Sequence, residues 1–207
     1  MKPDIILWDW DNTLVNTRNV AKKALVRLGN ETSIPITDDD VTEVIGGHLT
    51  DFWFRHYGPD PIPFVRRFVD YYRALSHEAE PFPETDHILE WVRKRGIPQI
   101  VVSNKNQDIL TAEAERFGLA DYFEKIVGTV NQGIGKPSRE FADHVLGPAW
   151  PKKIVMIGDG ESDMAFAKTL GAFGILIGPS AKPDYPCDRY THALSGVSDI
   201  LASEFQI

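Results

Sequence analysis

The sequence predicts an α/β fold, a mostly parallel sheet covered by helices on both faces, interrupted after its first strand by a small all-helical unit. Three observations predict it. Short apolar runs alternate with amphipathic stretches from Glu84 onward, the pattern of buried parallel strands joined by crossover helices. Residues from about 15 to 82 carry helical periodicity instead. The apolar runs also end in polar clusters, namely Asp9/Asp11, Ser103/Asn104 and Asp159/Asp163. In parallel sheets ligands bind beyond the carboxyl ends of the strands.

The first strand is the uncharged run Ile5-Ile6-Leu7-Trp8, followed at once by Asp9-Trp10-Asp11-Asn12-Thr13-Leu14. Side chains alternate along a strand, so Asp9 and Asp11 share a side if the extended geometry persists. Two like charges that close need a cation or a donor network. An Asp-rich turn without chemistry is the plainer alternative.

In the helical unit, Val20, Ala21, Ala24, Leu25 and Leu28 recur at helical spacing and Gly29 is read as the stop. Thr37 with Asp38-Asp39-Asp40 predicts a capped, acidic helix start, with Val41, Val44 and Ile45 behind it and Gly46-Gly47 ending it. A short helix is predicted around Leu49 to His56. A clearer one carries the stripe Phe64, Val65, Phe68, Val69 and Tyr72. Pro81-Phe82-Pro83 closes the unit, giving a domain division of 1–14 and 83–207 for the α/β core and 15–82 for the helical insertion.

Beyond it, Thr85 is read as capping a helix that ends at Gly96, and the strand Gln99–Val102 as ending at Ser103-Asn104-Lys105. A helix over about Asp108 to Phe117, a strand near Lys125 to Val130 and a loop Asn131 to Pro137 follow. Ser138 caps the next helix. The strand Ile154–Ile157 enters Gly158-Asp159-Gly160-Glu161-Ser162-Asp163, a helix runs to about Leu170, and Gly174–Ile177 is a strand. A short helix near Val197 to Phe205 ends the pattern.

Composition narrows the function. The 207 residues are 43% hydrophobic and 25% charged, an ordinary globular balance. A net charge of −8 argues against an extended nucleic-acid surface. The apolar N-terminal run is too short for a signal peptide or membrane span. Cys187 stands alone, which predicts a reducing compartment, the cytoplasm. Gly133-Ile134-Gly135-Lys136 is not a nucleotide-binding P-loop, because Val130 and Pro137 occupy positions that need Gly and a hydroxyl residue. The six histidines show no paired metal spacing.

The strand-end clusters and Lys136 assemble carboxylates, a hydroxyl, an amide and one amine. Such a set suits a hard divalent ion and a phosphate group, Mg²⁺ being held by one or two carboxylates plus substrate oxygens. An Asp carboxylate is a competent nucleophile in phosphoryl transfer.

Taken in order, Asp9-Trp10-Asp11-Asn12-Thr13-Leu14, Ser103-Asn104-Lys105, Gly135-Lys136-Pro137 and Gly158-Asp159-Gly160-Glu161-Ser162-Asp163 resemble the four motifs of haloacid dehalogenase superfamily phosphohydrolases. The likeness is to phosphoglycolate phosphatases with a small helical cap and covers nearly the whole chain. It implies a Rossmann-like core, Asp9 as nucleophile and Asp11 as the acid that protonates the leaving oxygen and then deprotonates water. It implies Mg²⁺ held by Asp9, the Asp11 carbonyl and Asp159, with Asp163 binding a metal water or orienting Lys136. Thr13 and Ser103, with backbone N–H groups near Asn12 and Asn104, would hold the phosphoryl group, and Lys136 would offset its charge. Asn12 stands where the family commonly has glycine, and Asn tolerates positive φ better than most residues. Asn16 stands where many relatives have Asp. Asp11 sets the chain apart from members that cleave carbon–halogen or carbon–phosphorus bonds.

The expected partner is a small phosphorylated metabolite, with no nucleic acid or membrane, in a monomer or weak homodimer. Arg18, His48, Arg55, His56 and Lys105 are candidates for substrate contacts. Glu161 is read as a residue behind the metal site or as a favourable acid in a helix first turn. The alternatives are a phosphomutase of the β-phosphoglucomutase type and, in another class, a non-catalytic phospho-ligand binding module.

Overall fold

Ile5–Trp8 forms strand β1, and all four side chains are buried, as expected of a strand covered on both faces. The computed structural model describes residues 1–46, 51–129, 134–178 and 185–207. The remaining strands are β2 (Val15–Asn16), β3 (Glu80–Pro81), β4 (Gln99–Asn106), β5 (Lys125–Thr129), β6 (Ile154–Gly158), β7 (Phe173–Ile177) and β8 (Arg189–Thr191). One sheet has the order β5-β4-β1-β6-β7-β8 with every pairing parallel. β1 lies between β4 and β6, so the chain order reverses beside it. This is the switch point at which doubly wound sheets open a crevice.

The chain divides into two compact units, Met1–Val15 with Pro81–Ile207, and Asn16–Glu80. The two-residue strands β2 and β3 pair where the chain passes between them. In the helical unit, α1 (Arg18–Thr32), α2 (Asp38–Gly46), α3 (Asp51–Tyr57) and α4 (Ile62–Leu75) bury Leu25, Leu28, Val41, Val44, Phe52 and Trp53. Thr37 and Asp40 cap α2 reciprocally: Asp40 N–H donates to Thr37 Oγ1 at 3.2 Å and Thr37 N–H to Asp40 Oδ2 at 2.9 Å.

In the α/β unit, α5 (Thr85–Lys94), α6 (Gln107–Arg116), α7 (Arg139–Leu146), α8 (Glu161–Leu170) and α9 (Val197–Phe205) flank the sheet. Phe141, Val145, Phe166 and Leu170 from α7 and α8 pack on Leu7, Ile100, Val102 and Met156. The buried indole N–H of Trp8 donates to Gln99 Oε1 at 3.0 Å, so the one amide at the start of β4 satisfies a donor that no apolar residue there could serve.

Several expectations need correction. Gly29 does not stop α1; the helix continues to Thr32 and closes on Ser33 in the left-handed region. Gly29 is required because a Cβ there would lie 2.5 Å from Ile34 O and 2.6 Å from Ile36 Cγ1. Thr85 does not cap α5. It is the first helical residue, and its hydroxyl donates to Leu14 O at 2.6 Å. β4 does not end before Ser103 but runs on to Asn106, with an irregular register between Val102 and Asn106. The edge strand β8 has no counterpart among the expected strands. His48 and the start of the helix expected from Leu49 lie outside the described residues, as do Val130 and the first part of the loop before Lys136.

Candidate functional site

Asp9 follows β1 directly and is buried, 5% exposed. Its Oδ1 accepts from Lys136 Nζ at 2.6 Å and its Oδ2 from the Thr13 hydroxyl at 3.0 Å. Lys136 Nζ also donates to Asp163 Oδ1 at 2.5 Å, so one buried ammonium joins two carboxylates from opposite ends of the sequence. Asp159 follows β6 across the switch point. One oxygen each from Asp9, Asp159 and Asp163 lie within 4.8 Å of one another.

The loop that brings Lys136 in is held by Asn104 at the end of β4. Its Oδ1 accepts from Lys136 N–H at 2.8 Å and its Nδ2 donates to Lys136 O at 3.3 Å. A Cβ at Gly135 would stand 2.4 Å from Asn104 Oδ1, so glycine is what permits this clasp. The Asn104 amide is thereby spent on the backbone. Gly158 plays the same part for Asp163, whose Cγ lies 2.3 Å from where a Cβ would stand. Asp163 Oδ2 accepts from Gly160 N–H at 3.0 Å, so both of its oxygens are engaged, one by Lys136 and one by the start of α8.

Asn12 adopts a φ of 58°, the left-handed turn that Asn tolerates. Its own N–H donates to Val15 O at 2.7 Å and closes that turn. Ser103 is buried, and its Oγ accepts from Lys105 N–H at 3.1 Å, leaving the hydroxyl proton to donate.

Asp11 stands apart from the carboxylate group. Its Oδ1 lies 2.7 Å from Lys105 Nζ, at an angle that makes an ion pair without a hydrogen bond. The Lys105 side chain is only 6% exposed and donates to Glu113 Oε2 at 2.6 Å, which also accepts from Trp10 Nε1 at 2.8 Å. Lys105 is therefore drawn inward, away from the role of a solvent-facing anion receptor.

In the helical unit, Arg18 Nη2 donates to Thr42 Oγ1 at 2.7 Å and Arg55 to Glu43 Oε2 at 2.8 Å. His56 Nε2 lies 3.8 Å from Asp40 Oδ1. These candidates are engaged by that unit's own groups.

The site carries excess negative charge. Burial above all, then the neighbouring Asp163, raises the Asp9 carboxyl to about 7, although Lys136 opposes the shift. Asp159 is raised well above the carboxylate range by burial first, then by Asp9 and Asp163. Burial works to lower the Lys136 ammonium, but its two carboxylate partners outweigh it and hold it charged. Three carboxylates against one ammonium leave two charges unmatched. A hard divalent cation bound by oxygen is what that donor set lacks, so the residues fit one. Glu161 lies in the first turn of α8, where an acid favours the helix start.

Two residues escaped the sequence reading. Glu113 sits on the buried face of α6, and only its place among Ile109, Leu110 and Ala114 could have signalled it. Tyr185 donates its hydroxyl to Asp159 O at 3.2 Å, and burial followed by the Asp159 charge raises the phenol to about 12. No sequence pattern pointed to it.

Among known proteins, the family model described as haloacid dehalogenase-like hydrolase matches residues 6–177. A phosphoglycolate phosphatase from Caulobacter vibrioides is 29% identical over 184 residues, covering 83% of this chain and 78% of its own. Another from Aquifex aeolicus is 29% identical over 203 residues, covering 89% and 92%. A haloacid dehalogenase-like family hydrolase from Streptococcus pneumoniae superposes with a TM-score of 0.81 at 22% identity, covering 96% of this chain and 98% of that one. The four motifs, the parallel sheet that carries three of them at its strand ends and these matches agree, and the chain belongs to the haloacid dehalogenase-like hydrolase family.

Proposed function

We propose that this hydrolase is a Mg²⁺-dependent phosphatase of small phosphomonoesters that works through an aspartyl-phosphate on Asp9, with phosphoglycolate as the first substrate to test. The observation that carries the reading is the pairing of Asp9 and Asp163 on the buried Lys136, with an Asp159 oxygen within 4.8 Å of an oxygen of each. The phosphoglycolate phosphatases similar to the chain supply the substrate class.

A carboxylate oxygen of Asp9 attacks phosphorus, and the bond from phosphorus to the ester oxygen breaks. Asp11 gives that oxygen its proton. Asp11 then takes a proton from water as the water attacks the acyl phosphate, releasing phosphate and regenerating Asp9. Lys136 fixes one Asp9 oxygen and Thr13 the other, so the nucleophile is oriented before substrate arrives. The Ser103 hydroxyl and Lys136 stabilise charge on the transferring group. Mg²⁺ fits the Asp9 and Asp159 carboxylates with the Asp11 carbonyl, and when bound it supplies charge stabilisation for the phosphoryl oxygens. Asp163, tied to the Gly160 N–H at the start of α8, orients Lys136. We further assign the protein to the cytoplasm, as a monomer or weak homodimer; among the described residues no helix is long and apolar enough to cross a membrane.

The test is a turnover screen of small phosphate esters with and without Mg²⁺, using Asp9→Asn as control. Metal-dependent phosphate release that vanishes in Asp9→Asn supports the reading. Binding without turnover across the panel, or wild-type turnover by Asp9→Asn, contradicts it. An isomerised sugar phosphate with little free phosphate would make the enzyme a mutase.

A further inference from the structure

The buried face of α6 reads Ile109, Leu110, Glu113, Ala114, a carboxylate where packing asks for a hydrocarbon. Replacing a buried ion pair by apolar residues is often neutral or stabilising, so packing alone does not account for Glu113. Two of its partners lead toward the site. Trp10 lies between the two acids of the first motif, and its indole N–H donates to Glu113 Oε2. Lys105 Nζ donates to the same oxygen and continues to Asp11 Oδ1 at 2.7 Å. Lysine has a long, flexible stem and a compact charge, and it points reliably only when its ammonium is tied down. Glu113 ties it. Asp11 Oδ1 is fully buried while the side chain as a whole is 21% exposed, so any proton that the group exchanges with a ligand passes through Oδ2.

We propose that Lys105 and Glu113 are positioning residues that lock the Asp11 carboxyl with Oδ1 inward, so that Oδ2 alone hands the proton to the departing alcohol. The inference rests on the reading of Asp11 as the acid. In that step the electron pair of the broken bond goes to the leaving oxygen and the Asp11 proton neutralises it. A leaving group that is stable as an anion needs no such proton, which makes the effect selective.

The experiment compares kcat/KM for phenyl phosphate, a poor leaving group, with 2,4-dinitrophenyl phosphate, a good one. kcat/KM reports the steps up to departure of the alcohol. The variants are Glu113→Gln, which keeps shape and hydrogen-bond acceptance, and Lys105→Met/Glu113→Gln, which removes the two members of that ion pair together; Asp11→Asn is the reference, and thermal melts confirm folding. The phenyl-to-dinitrophenyl ratio is expected to fall about 100-fold in the double variant and roughly 10-fold in Glu113→Gln. A ratio within about threefold of wild type in the folded double variant overturns the proposal, even if both activities drop together. Should the double variant not fold, an unchanged ratio in Glu113→Gln overturns it. An unchanged ratio in Asp11→Asn would instead sink the acid role of Asp11, and the positioning claim with it.

Discussion

Replacing Lys136 by methionine keeps the length of the side chain and removes the one ammonium that the structure places between Asp9 and Asp163. All three groups are buried, so solvent cannot replace the lost charge. Removing one partner of a buried pair costs about 3–5 kcal/mol, and here two carboxylates lose the same partner. The cost depends on pH with a definite sign. The Asp9 carboxyl is already raised to about 7 and Asp159 is raised too, and loss of Lys136 raises both further. A folded state with raised carboxyls binds more protons than the unfolded chain, so its stability falls as pH climbs from the ordinary carboxylate range toward the raised values and levels off above them. The destabilisation should be small around pH 5, where the carboxyls are protonated with or without Lys136, and should grow as pH rises past about 7. Bound cation should recover part of it, about 2.7 kcal/mol at a hundredfold excess over Kd. Urea unfolding at the two pH values, with chelator or saturating Mg²⁺, measures each quantity. A loss below about 1 kcal/mol near pH 8, or an equal loss at both pH values, would refute the electrostatic account of the site.

The wild-type protein obeys the same sign. Without metal, the raised Asp9 carboxyl alone should lower stability by about 3 kcal/mol between pH 5 and pH 8, and Mg²⁺ should raise the melting temperature more at pH 8 than at pH 5. Thr13→Val removes the donor to Asp9 Oδ2; leaving that oxygen unsatisfied costs about 1–3 kcal/mol, read as a kcat/KM lowered roughly 10- to 100-fold. Gly158→Ala places a Cβ 2.3 Å from Asp163 Cγ, and is expected to cost about 1–3 kcal/mol in urea unfolding and to lower turnover by shifting Asp163 from Lys136.

The strands and their polar ends were legible because an apolar run and an abrupt carboxylate are local signals. Asp9, Ser103, Asp159 and Asp163 were named from such strand-end signals, Lys136 from its returning loop and Thr13 from the family resemblance, and a parallel sheet delivers its strand ends to a common edge. What the sequence did not disclose depends on partners distant along the chain. Gly29 looked like a helix stop, because what it avoids is a close approach by Ile34 and Ile36. Thr85 looked like a cap, because its hydroxyl's true acceptor is Leu14 O. β4 looked finished at Val102, since polar residues at a strand end resemble a loop until their pairing with β5 is seen. Lys105 stood as a candidate substrate contact because its partners, Asp11 and Glu113, lie on two other segments.

The most direct measurement is acid-quenched trapping of the enzyme during turnover with Mg²⁺, followed by reduction with tritiated borohydride, which converts an acyl phosphate of aspartate to homoserine. The account predicts labelled homoserine at position 9, absent from Asp9→Asn. Label at another residue, or none while phosphate is being released, would contradict it.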